Sequence, residues 1–470
     1  MPTPSIDVAA PSAARPPPSR PAVALLAAAL FASAAACSSS GAGAVTSPDA
    51  APIDAALGDA PAALTWHHDV RPIVEARCAG CHVSGGFAPF ALQSYGDAFD
   101  KRDVMAIALA GKLMPPWPPN DACNAYTHDR SITDAQRATM IDWARGPAVE
   151  GDPATFTALP ADPLTTIRVD KTLKMATAYT PIETPDEYRC FVMDWNEATT
   201  KYVTGFDVRP GLTPIVHHAI AFLVGPADVA TVTSMDAADP APGYKCFGGV
   251  GVNAASWLGA WAPGAMPSSF PASSGLEVAP GSKIVLQLHY NTASAAAGPD
   301  QTSVDLQLAD AVAVKGAVLK FTNPSWVLNH TMNIKAGDPD SVQSFMVDPS
   351  PYLSRFVGGA LTDGMPFRIH SAALHMHSRG VKGTLQIVHA DGSRDCALQI
   401  DDWSFHWQGT YELQKALQFK PGDQLGIECH FDDSGARQPL VSGMPLSVAD
   451  ANWGETTEDE MCLGVFYVTP

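Results

Sequence analysis

The sequence predicts a multidomain protein, in which a small all-α domain precedes two all-β antiparallel sandwiches of the jelly-roll kind. Helical patterns surround a C-x-x-C-H motif within residues 65–147. From residue 169 onward, short alternating apolar runs such as SKIVLQLHYNT and GTLQIVHA recur between Gly, Pro, Asp and Asn. Such runs are typical of antiparallel sandwiches. We therefore expect a helical domain at residues 65–147, a Pro-rich linker at 148–168, and β-sandwich domains at 169–315 and 316–470.

The composition limits the class of protein. Of the 470 residues, 46% are hydrophobic and only 16% are charged, so the chain can bury sizeable cores. The formal net charge is −19, which argues against a nucleic-acid-binding surface. The sequence also has no basic patch and no Gly-rich phosphate loop.

Residues 1–36 have the pattern of an export signal. Arg15 and Arg20 precede a short apolar run, PAVALLAAALFASAAAC, which is too short and too Ala-rich for a membrane-spanning helix. Small residues before Cys37 and a Ser/Gly stretch after it resemble a bacterial lipoprotein signal, although the usual Leu three residues before the Cys is missing. The alternative is ordinary cleavage nearby, which gives a soluble exported protein.

Both alternatives predict a protein exported to the bacterial periplasm or outer surface. The lipoprotein alternative, which we favour, adds a lipid on Cys37 as the only membrane attachment. Residues 37–64 contain too few large apolar residues to fold, so we expect a disordered linker. In an oxidising compartment, paired cysteines are the default expectation.

The helical domain carries the most specific local motif. Cys78, Cys81 and His82 form C-x-x-C-H, the attachment signature of haem c, in which two thiols bond the haem and the His binds iron. A zinc site would need a second ligand pair, and a thioredoxin-like site would need a βαβ context; neither follows. Met114, in GKLMPPWPP, is the expected second axial ligand. Met105 is the alternative, but it lies within a helical pattern that favours a core position.

Two further expectations concern this domain. SITDAQRATMIDWARG predicts its last helix, which Ser131 or Thr133 can cap and Gly146 with Pro147 can end. His67 and His68 precede the first haem-domain helix, and we expect both to face solvent.

The β domains contain two unusual pairs of histidines. His217 and His218 are adjacent in IVHHAIAFL, and neighbours in a regular strand point to opposite faces. Pro214 makes an irregular strand start plausible, and a bulge can bring neighbouring side chains together. His375 and His377 form H-x-H, which places two imidazoles on one face of a strand and indicates a metal pair.

The motifs of the β domains follow a characteristic order. VHHAIAFLV, WLGAWAPG, VLQLHYN, LHMHSRG and EDEMCLGVFYV succeed one another over residues 169–470. In this order they resemble the copper type II ascorbate-dependent monooxygenases, the family of peptidylglycine α-hydroxylating monooxygenase and dopamine β-monooxygenase. The resemblance implies two copper ions, one in each sandwich, and an enzyme that inserts one atom of dioxygen into an organic substrate.

The resemblance also implies which residues bind copper. The all-His copper, which transfers electrons, would be held by His217, His218 and His289. The dioxygen-activating copper would be held by His375, His377 and Met461. The ligand chemistry agrees independently, because imidazole suits copper in both oxidation states and a thioether stabilises Cu(I).

The same resemblance implies the disulfides Cys190–Cys246 and Cys429–Cys462. Cys123 and Cys396 are then left over. A pair between them would join the haem domain to the copper domains, but their state stays open at this point.

The sequence departs from the family pattern at the substrate site. In the peptide-hydroxylating members, an Arg two residues before H-x-H, an Asn just after the M-C pair and a nearby Tyr hold the substrate carboxylate. The corresponding residues here are Ala373, Leu463 and Val465. Peptidylglycine is therefore not the expected substrate, and the sequence names no other.

These motifs together predict an exported monooxygenase that hydroxylates an activated C–H of a small organic substrate with dioxygen. Electrons would pass from the attached haem c to the all-His copper, so that haem replaces or supplements ascorbate or another external one-electron donor. The alternative is a non-catalytic envelope lipoprotein that binds copper, senses redox state or transfers electrons on the same scaffold. The intact H-x-H and Met461 favour the enzyme, because a copper store needs no oxygen-reactive site.

Overall fold

The computed structural model of this protein is built mostly of β-sheet, with few helices. It describes residues 63–84, 88–160, 167–246, 248–252, 255–262, 265–292, 295–357, 359–405, 407–435, 440–441, 444–454, 456 and 458–470. The predicted signal peptide, Cys37 and nearly all of the first linker lie outside these residues. In the described residues no helix has the length and apolar character needed to cross a membrane.

The helical region comprises residues 63–160. Its helices are a π-helix at Trp66–Val70, α1 at Arg71–Arg77, α2 at Tyr95–Ala110, α3 at Asp134–Arg145 and a 3₁₀ turn at Pro153–Thr155. Thr133 caps α3 through the backbone N–H of Gln136, and α3 ends before Gly146 as predicted. Trp66 and Trp143 pack together in the core, with ring centroids 5.7 Å apart.

The prediction for the two histidines before α1 is half wrong. His68 is exposed, but His67 is only 8% exposed. Both histidines belong to the π-helical turn Trp66–Val70, which leads directly into α1. His67 therefore lies buried in a helical turn, and not facing solvent as predicted.

The first β region comprises residues 167–315. Its strands are β1 (Lys171–Lys174), β2 (Asp186–Asp194), β3 (Lys201–Arg209), β4 (Val216–Val224), β5 (Tyr244–Lys245), β6 (Ser256–Trp261), β7 (Ser268–Ser269), β8 (Ser274–Val278), β9 (Lys283–Asn291), β10 (Ser303–Ala309) and β11 (Val314–Lys315). One sheet has the order β1-β10-β3-β8-β11, with β7 beside β3, and the other has the order β5-β2-β9-β4-β6. Buried residues of both sheets form one core.

A helix interrupts this β region where the sequence suggested none. The helix α4 spans Val229–Ala238. Its segment, VATVTSMDAA, lacks a clear apolar stripe, and only Val232 is buried. Tertiary position rather than a 3.6-residue pattern therefore decides its conformation.

The second β region comprises residues 317–470. Its helices are α5 (Pro324–Asn329), a 3₁₀ turn at Ser350–Tyr352 and α6 (Leu353–Phe356). Its strands are β12 (Ala317–Phe321), β13 (Ser341–Val347), β14 (Phe367–His375), β15 (Gly380–Val388), β16 (Arg394–Ile400), β17 (Tyr411–Phe419), β18 (Gln424–Phe431), β19 (Leu440–Val441), β20 (Met444–Pro445) and β21 (Leu463–Thr469). The sheets β12-β21-β14-β17 and β13-β18-β15-β16 enclose its core.

The two β regions contact each other through Tyr467 of β21. Its ring stacks on Phe270 with centroids 4.3 Å apart, and its hydroxyl lies 2.9 Å from the hydroxyl of Ser274. The β12-β21-β14-β17 sheet therefore turns its outer face toward the first β region.

The helical region is bound to the second β region. A disulfide joins Cys123 to Cys396, so the pair that the sequence left open is formed. The Tyr126 hydroxyl donates to the carbonyl of Ala397 at 3.2 Å, and the Trp117 ring packs edge-on against Tyr411 at 5.4 Å. Within the described residues, the disulfides Cys190–Cys246 and Cys429–Cys462 are formed as well.

Removing the Cys123–Cys396 disulfide should loosen this contact. We expect a Cys123→Ser, Cys396→Ser double variant to lower the opening free energy of the docked segment by about 2–4 kcal/mol, because the unfolded segment is no longer tethered. Hydrogen exchange at the amides of Asn120, Thr127 and Gln414, which bond across this contact, measures the change. Amides of β4 in the same sample are the control, and unchanged protection at the three amides would contradict the prediction.

Candidate metal centres

Three histidines converge at the start of β4. The pairing of β4 with β9 shifts between Val216 and His218, so His217 is an extra residue in the strand, and His218 lies directly opposite His289. This bulge lets two sequence neighbours face one point, as Pro214 led us to expect. The ligand nitrogens of the three imidazoles all lie within 4.8 Å of one another.

The distances between these nitrogens suit a shared metal ion. Nδ1 of His218 lies 3.4 Å from Nδ1 of His217 and 3.3 Å from Nδ1 of His289. Three nitrogens that each bind one ion at about 2.0–2.1 Å are separated by roughly 3.3–3.6 Å. Nitrogen atoms this close in pairs share one proton at most, whereas a cation satisfies all three lone pairs at once.

Neighbouring side chains orient this group. The Nε2–H of His289 donates to Asp186 at 2.8 Å, which leaves Nδ1 of the same ring free to bind a metal. Tyr188 stacks on the His289 ring with centroids 4.2 Å apart. Burial, with nearby histidines, holds the pKa of His218 well below its usual value. The imidazole is therefore neutral, the form that binds a metal.

The H-x-H pair forms a second group at the end of β14. The Nδ1–H of His375 donates to the side-chain oxygen of Gln408 at 2.5 Å, and the Nδ1–H of His377 donates to the carbonyl of Asp459 at 3.1 Å. Both rings therefore keep Nε2 free, and their centroids lie 5.1 Å apart. Burial lowers the pKa of His377 to about 3, so this ring is neutral as well.

The segment that contains Met461 is fixed beside this pair. Glu460 accepts hydrogen bonds from the backbone N–H of His377 at 2.8 Å and of Arg379 at 2.5 Å. The next residue, Met461, is 7% exposed, and the residue after it is held by the Cys429–Cys462 disulfide. The chain at Met461 is therefore anchored on one side to the H-x-H segment through Glu460 and on the other by a disulfide.

Members of both groups line one cavity of about 810 Å³ between the two β regions. His217 and His218 belong to its wall on one side, and His375, His377 and Met461 belong to its wall on the other. The Phe405 ring lies between the groups, with its centroid 5.9 Å from that of His217 and 6.1 Å from that of His377. An aromatic side chain therefore occupies part of the space across which the two groups face each other.

The cavity wall near the second group is apolar. Ala373, Leu463 and Val465, which the sequence resemblance aligned with the substrate anchors of the peptide-hydroxylating enzymes, all line it. Trp257 and Trp261 contribute aromatic surface from the first β region. Such a wall suits an apolar substrate body, and the side chains at positions 373, 463 and 465 offer it no polar contact.

The C-x-x-C-H residues lie in the turn after α1. Cys78 and Cys81 are free thiols. Burial raises the pKa of the Cys78 thiol to about 12. The Nδ1–H of His82 donates to the carbonyl of Phe90 at 2.9 Å, which leaves Nε2 free.

The two candidate methionines have different surroundings. Met105 is 6% exposed and belongs to the core of the helical region, as predicted. Met114 follows α2 and is half-buried, and its carbonyl accepts a hydrogen bond from Arg137 at 2.8 Å.

Comparisons with known proteins bear on the second β region. Residues 360–469 match the model of the copper type II ascorbate-dependent monooxygenase family, C-terminal domain. The members of this family are copper-dependent oxidoreductases, which supports the enzyme class expected from the sequence. His375, His377 and Met461 all lie within the matched residues.

Two solved structures that match this chain resemble it only distantly. The VP2 subviral particle of infectious bursal disease virus is 10% identical over 66% of this chain and 73% of that chain, with a TM-score of 0.16. A tandem CBM22 domain of Paenibacillus barcinonensis Xyn10C is 12% identical over 58% and 79%, with a TM-score of 0.14. Scores this low carry no argument about fold or function.

Sequence reasoning missed the residues that orient the imidazoles. Asp186, Gln408 and Glu460 each bond a histidine ring or its backbone, yet none has a distinctive spacing from the histidine it contacts. The one available signal was the carboxylate beside Met461 in EDEMC. The other two contacts exist only because distant segments meet.

An Asp186→Asn variant should weaken metal binding at the three-histidine group. The amide can donate as well as accept, so it no longer fixes which nitrogen of His289 carries the proton. We expect copper affinity at this group to fall by about 10–100-fold. Competition with a copper chelator measures it. Asp194→Asn, at the far end of the same strand, is the matched control, and equal affinities for both variants would contradict the prediction.

Proposed function

We propose that this protein is an exported copper-dependent monooxygenase that hydroxylates an activated C–H bond of a small organic substrate with dioxygen. The main support is that two groups of metal-ligating side chains, one from each β region, line a single cavity. Hydroxylation turns one dioxygen into one alcohol and one water, and it consumes two electrons and two protons. Two one-electron sites around one substrate space suit that requirement.

In this proposal the two groups have different roles. His217, His218 and His289 hold the copper that receives electrons, and His375, His377 and Met461 hold the copper at which dioxygen and substrate meet. Copper supplies one-electron chemistry between Cu(I) and Cu(II), and the Met461 thioether favours Cu(I). Asp186, Gln408 and the Asp459 carbonyl keep the imidazoles oriented, so little reorganisation is needed when the oxidation state changes.

We also propose that the helical region holds a covalent haem c. Cys78 and Cys81 would bond the haem, and His82 and Met114 would be its axial ligands. The free Nε2 of His82 supports this role. So does Arg77, next in sequence to Cys78, whose buried Nε–H has no acceptor. A buried donor of this kind is costly when unpaired, and a bound group with acceptor atoms could satisfy it.

The haem would relay electrons to the all-His copper and thereby replace or supplement ascorbate as the donor. Support comes from the attachment of the helical region to β16 and β17, since residues of the β17 segment also line the cavity. Export is supported by the disulfides of the described chain, which are expected in an oxidising compartment.

Replacing Met461 tests the oxygenase proposal. We expect Met461→Leu to reduce oxygen uptake and formation of oxygenated product to the level of copper-free protein, because an isosteric apolar side chain cannot bind Cu(I). Met346→Leu, at an exposed methionine, is the matched control and should keep full activity. Product formation by Met461→Leu at the wild-type rate would rule out the proposed role of this residue.

Covalent haem can be tested separately. We expect wild-type protein produced with haem-attachment machinery to keep its haem absorbance through denaturing electrophoresis, and a Cys78→Ser, Cys81→Ser double variant to lose it. The Cys123→Ser, Cys396→Ser double variant controls for loss of cysteines in general. The relay is tested by rapid mixing of reduced protein with oxygen. His82 or Met114 variants that form product as fast as wild type with the same donor would refute it.

A further inference from the structure

A lysine lies on the cavity wall beside the second metal group. The strand β12 alternates, with Ala317, Leu319 and Phe321 buried in the core. The residues between them, Val318 and Lys320, point to the other face and line the cavity. Lys320 therefore faces the same space as the two histidine groups.

The register of the sheet locates this lysine relative to Ala373, Leu463 and Val465, the residues found here in place of the substrate anchors of the peptide-hydroxylating enzymes. Lys320 lies opposite Val465 on β21, and Val465 lies opposite Ala373 on β14. The three residues form one cross-strand row, and the adjacent row on the same face contains Leu463 and His375. Strands about 4.8 Å apart and residues about 3.4 Å apart put the Cα atoms of Lys320 and His375 roughly 12 Å from each other. That separation leaves room for a small molecule between the ammonium and the H-x-H group.

Lys320 has no counterion of its own among the described ion pairs. Lys320 is solvent-exposed at the cavity wall, and partial desolvation by the surrounding protein lowers its pKa. Glu412 also lines the cavity, but it lies on β17, at the opposite edge of the sheet, and accepts from the Thr127 hydroxyl. An ammonium in a largely apolar cavity is stabilised by any anion that enters with it.

We propose that Lys320 anchors the substrate, and that the substrate is an organic acid whose carboxylate pairs with this ammonium. Its apolar body would extend along Val465 and Leu463 toward His375 and Met461. Lys320 would thereby supply, from β12 two strands away, the positive charge that Ala373 on β14 does not. That the bound acid is a substrate rests on the proposed function. The pairing of its carboxylate with the Lys320 ammonium can be measured as binding alone.

The size and lining of the cavity narrow the class of acid that would fit. A space of about 810 Å³ exceeds the volume of a short acid such as acetate, and Trp257 and Trp261 line it. Sites of this size and character enclose apolar groups with a few polar contacts. The structure therefore favours an acid with an alkyl chain or aromatic ring over a small, wholly polar one.

Binding of matched acids and amides tests the proposal. The probes are hexanoate, octanoate and 3-phenylpropionate, each compared with its primary amide. Calorimetric titration of the full copper-loaded protein, reduced and without oxygen, gives the dissociation constants with no turnover. We expect wild type to bind at least one acid about tenfold or more tightly than its amide, because a charge-assisted contact is lost with the amide. Lys320→Met should bring this ratio to about one and leave amide binding unchanged.

The control variants separate charge from structure. Lys320→Arg should keep the preference for the acid, and Lys415→Met, on β17 of the same sheet but outside the cavity lining, should keep it too. Lys320→Gln replaces the Met variant if that protein does not fold. The proposal is overturned if wild type prefers no acid, if the Lys320→Met or Lys320→Gln protein keeps the preference, or if Lys415→Met loses it equally.

The outcome is independent of the oxygenase test. A preference for acids that depends on Lys320, together with no oxygenated product, would retain the anchor and reject the monooxygenase. Product formation without any preference for acids would retain the monooxygenase and reject Lys320 as the anchor.

Discussion

The candidate centres depend on hydrogen bonds that fix one ring nitrogen of a histidine and leave the other free. His289 donates to Asp186, His375 to Gln408, His377 to the Asp459 carbonyl, and His82 to the Phe90 carbonyl. Each bond sets the tautomer and holds the ring in place before any metal arrives. Burial keeps His218, His375 and His377 neutral as well, so the free nitrogens can accept a metal ion at ordinary pH.

The second constraint is the apolar space between the two β regions. Tyr467 holds the regions together at one end of the shared sheet face, through Phe270 and Ser274. The cavity beside it receives histidines from both regions, and Phe405 lies between their rings. Much of the cavity wall is apolar, which is why an ammonium at Lys320 without a counterion among the described ion pairs is informative about what the cavity accepts.

The helical region changes the picture of how electrons would enter. The sequence suggested a haem that feeds the all-His centre, which lies in the first β region. The described contacts of the helical region instead reach β16 and β17 of the second β region, through Cys396, Ala397 and Tyr411. Residues of β17 line the cavity that the two histidine groups share, so this attachment joins the helical region to a strand of the cavity wall.

The sequence by itself determined the β-rich architecture, the residue types of the two histidine groups, and the irregular start of β4, because alternation, H-x-H spacing and Pro214 are local signals. Pattern alone could not predict that His67 is buried or that residues 229–238 are helical, since both follow from packing against distant segments. Asp186, Gln408, the Cys123–Cys396 pair and the place of Lys320 were likewise decided by tertiary structure. Each depends on strand register or on segments far apart in the chain, and a single sequence carries no local trace of which strands become neighbours.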